Sequence, residues 1–345
     1  MTLTAKQYVH NIEQTAADLG NISIMELCGT HSQTVAQNNL KSLLPKNIKL
    51  VSGPGCPICV TDQTEIDLVV ELAKNDIPLA IYGDALSLPG SEASLEDLKQ
   101  QGKHIFTVYS VADALTLQKD WPNIVLFGIG FETTAPMTAW AIQQGLNIFS
   151  SHKYFPPAMS ALLASEKINI DGFIDPGHVS AIIGTQIFQQ FKIPQVISGF
   201  EALDMLETID ILLKNIKNQN QTVVNQYKRA VNDQGNLKAQ KLLKEVFENR
   251  DTNWRGLGMI PKSGMKIKAK YQKNDAEYIY RDLIEKFKKT YQPRPSACRC
   301  GEILQGLITP GDCPLFKKIC TPENPQGACM VSVEGTCRIT YENRQ

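Results

Sequence analysis

The chain has 345 residues, and its 35 Lys and Arg side chains balance 35 Asp and Glu, so the formal net charge is zero. A neutral chain has no electrostatic reason to bind nucleic acid. Its most hydrophobic stretches, such as 123–129, have the length of a strand rather than of a membrane span, and the N-terminal segment is polar. We therefore expect a cytoplasmic protein of two or three domains, with no nucleic-acid or membrane partner.

Short apolar runs alternate with segments of helical length through the first two hundred residues. Eight such runs occupy 22–27, 49–52, 78–83, 104–109, 123–128, 147–151, 171–175 and 194–198. Strands that alternate with helices predict parallel sheets that are covered by helices on both faces. The pattern therefore predicts an α/β protein with two parallel-sheet domains, which we expect at 1–125 and 126–235.

The character of the chain changes after residue 200. Polar or charged helical patterns occupy 200–218, 236–249 and 275–290, and the polar stretch 218–226 has the composition of a linker. We expect a third, mainly helical and loop-rich domain at 236–345.

Two predicted strands are followed directly by cysteine-containing turns. The first turn reads Cys-Gly-Thr-His and contains Cys28 and His31, and ligands of α/β sheets bind at this position, beyond the carboxyl ends of the strands. A thiolate and an imidazole can bind a divalent first-row metal, although a buried cysteine beside a helix cap explains the same residues equally well.

The second turn reads Gly-Pro-Gly-Cys-Pro-Ile-Cys and contains Cys56 and Cys59. Two cysteines at this spacing can close a disulfide reversibly, and the helix expected to begin near Asp62 would lower a thiol pKa. Half of a zinc site remains the alternative.

Two further segments follow predicted strands without a clear chemical role. His178 comes after Pro-Gly, where a lone histidine is usually a cap or a core residue, and a functional role is the less common alternative. The segment 128–136 has Thr133 where a dinucleotide fingerprint requires its third glycine, so nucleotide binding is not predicted. We expect Glu132 and the threonines after it to open a helix by capping, and a polar contact at a strand end is the alternative.

Six of the nine cysteines lie within a proline- and glycine-rich segment near the C-terminus. They are Cys298, Cys300, Cys313, Cys320, Cys329 and Cys337. Such a segment needs disulfides or a bound metal to hold its fold, because it contains few apolar side chains that could form a core. The uneven spacing favours an iron–sulfur cluster with four thiolate ligands, leaving two cysteines as a redox pair or as inert core residues. Zinc is disfavoured by the lack of paired Cys-x-x-Cys knuckles, and a disulfide framework would need an oxidising compartment.

Taken in order, four motifs make the chain closely resemble the HypD family, whose members mature the active-site iron of [NiFe] hydrogenases. The motifs read CGTHS, GPGCPIC, DPGHVSAIIG and CRCGEILQG…CPLF…C…GACMVSVEGTC, and the resemblance covers essentially the whole chain. It implies an assembly scaffold of two α/β domains and a third domain with a [4Fe–4S] cluster. It also implies action with a small chaperone, HypC, on which the Fe(CN)2CO unit is built, and with HypE as the cyanide donor.

The resemblance also implies roles for individual cysteines. The iron-handling thiol corresponds to Cys28, with His31 in the same motif, and Gln33 stands where the family often has a second histidine. The family's dithiol corresponds to Cys56 and Cys59. The remaining implied assignments are cluster ligation by Cys298, Cys313, Cys320 and Cys337, and a redox pair formed by Cys300 and Cys329.

We therefore expect a redox-active metallocofactor-assembly protein, which is scaffold and electron donor for the Fe(CN)2CO unit, rather than a free-standing enzyme. In this interpretation, Cys28 holds transient iron that carries CN and CO ligands, and Cys56 and Cys59 deliver electrons. The alternative is a free-standing iron–sulfur thiol–disulfide oxidoreductase that acts through the same dithiol. A third class is a zinc-stapled interaction module.

Overall fold

A computed structural model describes residues 3–292 and 296–343 of the chain. In the described residues the strands are β1 (Ile22–Glu26), β2 (Ile48–Ser52), β3 (Leu79–Tyr82), β4 (Ile105–Val108), β5 (Val125–Gly128), β6 (Asn147–Ser150), β7 (Gly172–Pro176), β8 (Gln195–Ser198), β9 (Val223–Asn225), β10 (Phe247–Trp254) and β11 (Gly258–Ile267).

Helices connect these strands and form most of the C-terminal region. They are α1 (Ala5–Ala17), α2 (Gly29–Gln37), α3 (Pro57–Val60), α4 (Gln63–Lys74), α5 (Leu95–Gln100), α6 (Val111–Leu117), α7 (Ala135–Gln143), α8 (Pro156–Leu163), α9 (Gly177–Ile183), α10 (Ala202–Lys217), α11 (Leu237–Val246), α12 (Ala276–Ile279), α13 (Arg281–Thr290), α14 (Cys300–Leu304), α15 (Ala328–Val331) and α16 (Thr336–Glu342). Within the described parts of the chain, none of these helices is both long and apolar enough to cross a membrane.

Two parallel sheets form the body of the protein. The first has the strand order β2-β1-β7-β8-β9 and the second the order β4-β3-β5-β6, and every pairing in both sheets is parallel. All eight apolar runs form strands, because each is short, rich in branched side chains and followed by a helix that covers the sheet. The predicted α/β class with a helical and loop-rich C-terminal region is confirmed.

The sheets are not consecutive along the chain, unlike the expected domains at 1–125 and 126–235. The chain leaves the first sheet after β2, builds the whole second sheet over 79–150, and then returns with β7 beside β1. The expected break lies inside the second sheet, at β5. Apolar periodicity identifies strands but not their partners, so the sequence did not reveal this excursion.

Two elements were missed in the polar part of the chain. The stretch expected to be a linker, 218–226, contains the edge strand β9, and an antiparallel hairpin of β10 and β11 lies in the region expected to be helical. The hairpin is anchored by Trp254, which is fully buried, stacks on Phe131 and donates a hydrogen bond from its indole nitrogen to Ser263. Packing against distant parts of the chain, rather than a local alternation of apolar and polar residues, therefore determines this hairpin.

Glu132 does not cap a helix, which corrects the expectation from the sequence. Helix α7 begins after Thr134 with no side-chain cap. The Glu132 carboxyl group is instead fully buried and accepts a hydrogen bond from the backbone nitrogen of Phe155 at 2.9 Å. Burial raises the pKa of Glu132 to about 8, so this group is largely protonated at neutral pH.

This burial makes folding stability depend on pH. The folded state keeps the proton of Glu132 up to about pH 8, whereas the unfolded chain releases it near 4.5, so stability falls as the pH rises between these values. We expect wild type to lose about 1.4 kcal/mol per pH unit over this window relative to Glu132→Gln, whose amide oxygen keeps the bond to Phe155. Urea unfolding at pH 6 and pH 8 measures the difference. Parallel pH profiles for the two proteins would contradict it.

Candidate functional site

The carboxyl ends of β1 and β2 bring two of the cysteine motifs into direct backbone contact. Cys28 caps the N-terminus of α2, and a Cβ atom built on Gly55 would lie less than 3.0 Å from the Cys28 nitrogen. The Gly29 nitrogen also donates a hydrogen bond to the Gly55 oxygen at 3.4 Å. The loop that carries Cys56 and Cys59 therefore lies against Cys28 with no side chain between them.

Cys56 and Cys59 form a disulfide that spans the short helix α3. The Cys59 nitrogen donates a hydrogen bond to the Cys56 sulfur at 3.2 Å, because Cys56 is the residue that caps α3. In this state neither sulfur is a free thiol. The lowered thiol pKa concerns the reduced form and stays a prediction.

The C-terminal segment packs over the N-terminal part of α2, next to Cys28. Glu334 packs directly on Gly29 and accepts a hydrogen bond from the Thr30 hydroxyl group at 2.9 Å. Gln33 donates to the Val333 oxygen at 2.8 Å. Helix α2 is thereby held to the cysteine-rich segment by its first turn.

The environment of Cys28 disfavours its ionised form. Burial, with the nearby carboxyl groups of Glu334 and Glu26, raises the pKa of the Cys28 thiol to about 12. Glu26 accepts a hydrogen bond from the Cys28 nitrogen at 3.0 Å and another from the Ser32 hydroxyl group, and burial raises the pKa of Glu26 to about 7. In the metal-free protein Cys28 therefore carries its proton, and a metal cation would replace that proton on binding.

His31 is positioned to offer one nitrogen lone pair. Its Nε2 lies 3.3 Å from the Ser198 carbonyl oxygen, which can only accept, so Nε2 carries the hydrogen. Nδ1 is then an unprotonated nitrogen, and it is buried without a hydrogen-bond partner in the described residues. Burial lowers the pKa of His31 to about 4, so the ring stays neutral at physiological pH. A neutral imidazole with a free lone pair can act as a metal ligand or as a base.

His178 is exposed at the start of α9 and reaches His31 through an aromatic stack. Its ring lies 3.8 Å from that of Phe200, which also stacks on His31 at 4.8 Å. Partial burial lowers the pKa of His178. The structure therefore connects the DPGH motif with the CGTH motif at the ends of β7 and β8.

The six C-terminal cysteines converge. All are buried except Cys298, which is half-buried. Cys300 lies beside Cys329, which in turn lies beside Cys337, and the interaction with Cys329, together with burial, raises the pKa of Cys300. Cys298 lies close enough to Cys313 and Cys320 for their charges to raise its pKa, although burial is the larger cause.

The thiols of this segment are of the kind that ligate an iron–sulfur cluster. Across residues 3–292 and 296–343, no three His, Cys, Asp or Glu side chains converge tightly enough to hold one ion. A cluster instead takes one thiolate for each iron, so its ligands stand further apart, and backbone N–H groups that face the sulfurs stabilise it. One such donor is present, because the Gln326 nitrogen lies 3.4 Å from the Cys320 sulfur. Which four cysteines are ligands stays a prediction.

Three residues at the site were missed from the sequence. They are Glu26 at the end of β1, Phe200 just after β8, and Glu334 between two cysteines of the C-terminal segment. Glu26 and Phe200 stand at carboxyl ends of strands, so the rule that predicted Cys28 also applied to them. Glu334 gave no such signal, because its role depends on packing over α2.

Comparison with known proteins identifies the family. The HypD family model, described as "Hydrogenase formation hypA family", matches residues 3–344. The chain belongs to the HypD family. It is 43% identical over 335 residues to hydrogenase maturation factor HypD2 of Bradyrhizobium diazoefficiens, covering 91% of this chain and 87% of that protein. It is 38% identical over 359 residues to HypD of Escherichia coli K12, covering 98% and 95% of the two chains.

An archaeal relative is equally well covered. A putative hydrogenase expression/formation protein of Methanocaldococcus jannaschii is 40% identical over 353 residues, covering 99% of this chain and 97% of the relative. The similarity to HypD proteins therefore includes both sheets and the cysteine-rich segment.

The close approach of Gly55 to Cys28 gives a test of the site geometry. We expect Gly55→Ala to lower the free energy of unfolding by roughly 2 kcal/mol, because the new methyl group meets backbone that must shift. The displaced loop should also make Cys28 react faster with an alkylating reagent. Gly20→Ala is the matched control, since nothing lies within 4 Å of the added atom, and it should change both quantities little. Equal effects of the two substitutions would show that the contact is not restrictive.

Proposed function

We propose that this chain is a hydrogenase maturation factor that serves as scaffold and electron donor for assembly of an Fe(CN)2CO unit. The observation that carries the proposal is a series of contacts that links the C-terminal cysteines to Cys28 through the Cys56–Cys59 disulfide. Membership of the HypD family and the names of its relatives support the maturation role.

The series of contacts runs through the α15 segment. Cys300 lies beside Cys329, and the residue before Cys329, Ala328, has its oxygen 4.0 Å from the Cys59 sulfur. The disulfide then leads to Cys28 through the backbone contact of Gly55. Electrons that arrive at the C-terminal cysteines therefore have a short route to the place where iron would be held.

Cys28 and His31 are the residues that would handle the iron substrate. Iron bound by the Cys28 sulfur would take the place of the thiol proton, and the Nδ1 lone pair of His31 has no hydrogen-bond partner in the described residues. Two protein donors, three residues apart in the sequence, leave coordination positions open, which a thiol of a small HypC-like chaperone and the CN and CO ligands could fill. Cyanide would come from a HypE-like partner.

The dithiol supplies reducing equivalents. Reduction of the Cys56–Cys59 disulfide takes up two electrons and two protons, breaks one S–S bond and gives two thiols. A [4Fe–4S] cluster, held by Cys298, Cys313, Cys320 and Cys337, would supply electrons one at a time. In this proposal the thiols of Cys300 and Cys329 pass two electrons onward by closing their own disulfide. Seven unpaired cysteines fit a reducing compartment, so the proposal places the protein in the cytoplasm.

The second candidate is a free-standing thiol–disulfide oxidoreductase that uses the same cysteines. The disulfide of Cys56 and Cys59 is the observation that favours it. It differs from the first candidate because it needs neither Cys28 nor a protein partner for turnover.

Substitution of Cys28 tests the scaffold role. We expect Cys28→Ala protein to fold and to keep the visible absorbance of its cluster, because the removed sulfur is not among the six C-terminal cysteines. The isolated complex with the chaperone should lose the infrared bands of iron-bound CN and CO. Val35→Ala, which shortens a buried side chain in the same helix without removing a thiol, is the control and should keep the bands. Undiminished bands in Cys28→Ala would remove Cys28 from the mechanism.

The assignment of the six C-terminal cysteines gives a second test. We expect Cys313→Ala and Cys320→Ala to lose iron and sulfide and to destabilise the C-terminal region, because metal binding there is coupled to folding. Cys300→Ala and Cys329→Ala should keep the cluster absorbance but prevent reduction of the Cys56–Cys59 disulfide. Iron analysis and thiol titration of anaerobic protein measure both effects. Equal loss of iron in all four variants would refute the division into four ligands and two redox thiols.

A further inference from the structure

A polar groove of about 730 Å³ runs between the segment 87–97 and the cysteine-rich segment. Cys298 and Cys300 line its wall, together with Arg255 and the loop at 322–326. Cys298 is the half-buried member of the C-terminal cysteines, whereas the other five are buried. The groove therefore gives solvent its approach to these thiols on the described surface of the cysteine-rich segment.

The groove and the assembly site lie at different ends of the contact series. Cys300 faces the groove and contacts Cys329, whose neighbour Ala328 contacts Cys59. Cys28, Cys56 and Cys59 are not among the residues that line the groove. A molecule in the groove would thus reach the first thiols of the series without occupying the place of the iron.

The charges around the groove are mainly negative. Glu92, Glu96, Asp97 and Glu323 line it, and among the lining residues that lie in 3–292 and 296–343 Arg255 is the one basic side chain. Glu92 is paired with Lys74, and the Arg255 guanidinium group donates to the Thr61 oxygen at 3.0 Å and to Gln63 at 3.1 Å. Glu96 and Glu323 project from opposite walls and are exposed. This field attracts a positively charged partner and repels an acidic one.

We propose that this groove is the docking surface for a one-electron carrier protein with a basic face, which delivers the electrons that the maturation reaction consumes. The inference rests on the proposed function and adds the point of electron entry and the chemistry of the donor. Two carrier molecules each lose one electron, and the disulfide of Cys56 and Cys59 gains two electrons and takes two protons from water. Each carrier leaves oxidised and intact.

A charge-reversal pair tests the groove directly. Glu96→Lys/Glu323→Lys changes the groove charge by four units, and Glu13→Lys/Glu166→Lys is the control, because both control residues are exposed and lie outside the groove. Oxidised cytochrome c, a basic electron-transfer protein, serves as the binding probe in titration calorimetry at low ionic strength. We expect about tenfold weaker binding by the groove variant and unchanged binding by the control, with wild-type affinity falling as salt is added.

Reduction kinetics give the second measurement. Reduction of the Cys56–Cys59 disulfide is followed by thiol titration with two small donors, the cationic methyl viologen radical and an anionic, sulfonated viologen radical. Wild type and the control should react faster with the cation, and the groove variant should lose or reverse this preference. An unchanged preference in the groove variant would overturn the inference. If Cys28→Ala still loses the CN and CO bands in that case, the groove proposal fails while the proposed function stands.

Discussion

Two close contacts at glycine residues determine how the cysteine motifs meet. Gly55 lies against the backbone of Cys28, and Gly29 lies against Glu334, each so closely that a Cβ atom would overlap its neighbour. Overlap of this kind cannot be relieved by a rotamer change when the neighbour is backbone, so at Gly55 only glycine permits the approach. Because of these contacts, segments from β1, β2 and the C-terminus form one site although about three hundred residues separate them in sequence.

The electrostatics of this site favour a cation over a bare thiolate. Cys28 is buried beside Glu26 and Glu334, and burial of negative charge in a medium of low polarity is expensive unless a positive charge compensates it. The thiol pKa is raised for that reason, which is the opposite of the arrangement found in a nucleophilic cysteine. An iron cation would supply the missing charge, so the same surroundings that suppress thiol reactivity in the free protein would favour metal binding.

The sequence predicted the strands well and their arrangement poorly. All eight runs are strands because each is a short apolar run followed by a helix. The insertion of a second sheet between β2 and β7 depends instead on strand pairing, since β1 pairs with β7 and not with β3. The hairpin was missed because it is held by the packing of Trp254 on Phe131, which lies in a loop far away in the sequence. The local alternation of apolar and polar residues gives no sign of such a contact. At the site, residues after strand ends could be predicted. Glu334 could not, since it acts through packing on Gly29.

In the proposed mechanism, the point of electron entry and the thiol that would handle iron lie at different places in this architecture. Cys298 and Cys300 face a polar groove, while Cys28 lies under the C-terminal segment that contains Glu334, and Cys329 stands between them. A low-potential carrier that reached iron and its CN and CO ligands directly could reduce or displace them, because nothing would limit the number of electrons delivered. Complete reduction of an intervening disulfide takes two electrons and two protons, and the two thiols that result pass both electrons on when they close the disulfide again. In the proposed function, Cys56 and Cys59 would therefore control the number of electrons that reach Cys28, and a disulfide loop rather than a cluster would lie against the thiol proposed to handle iron.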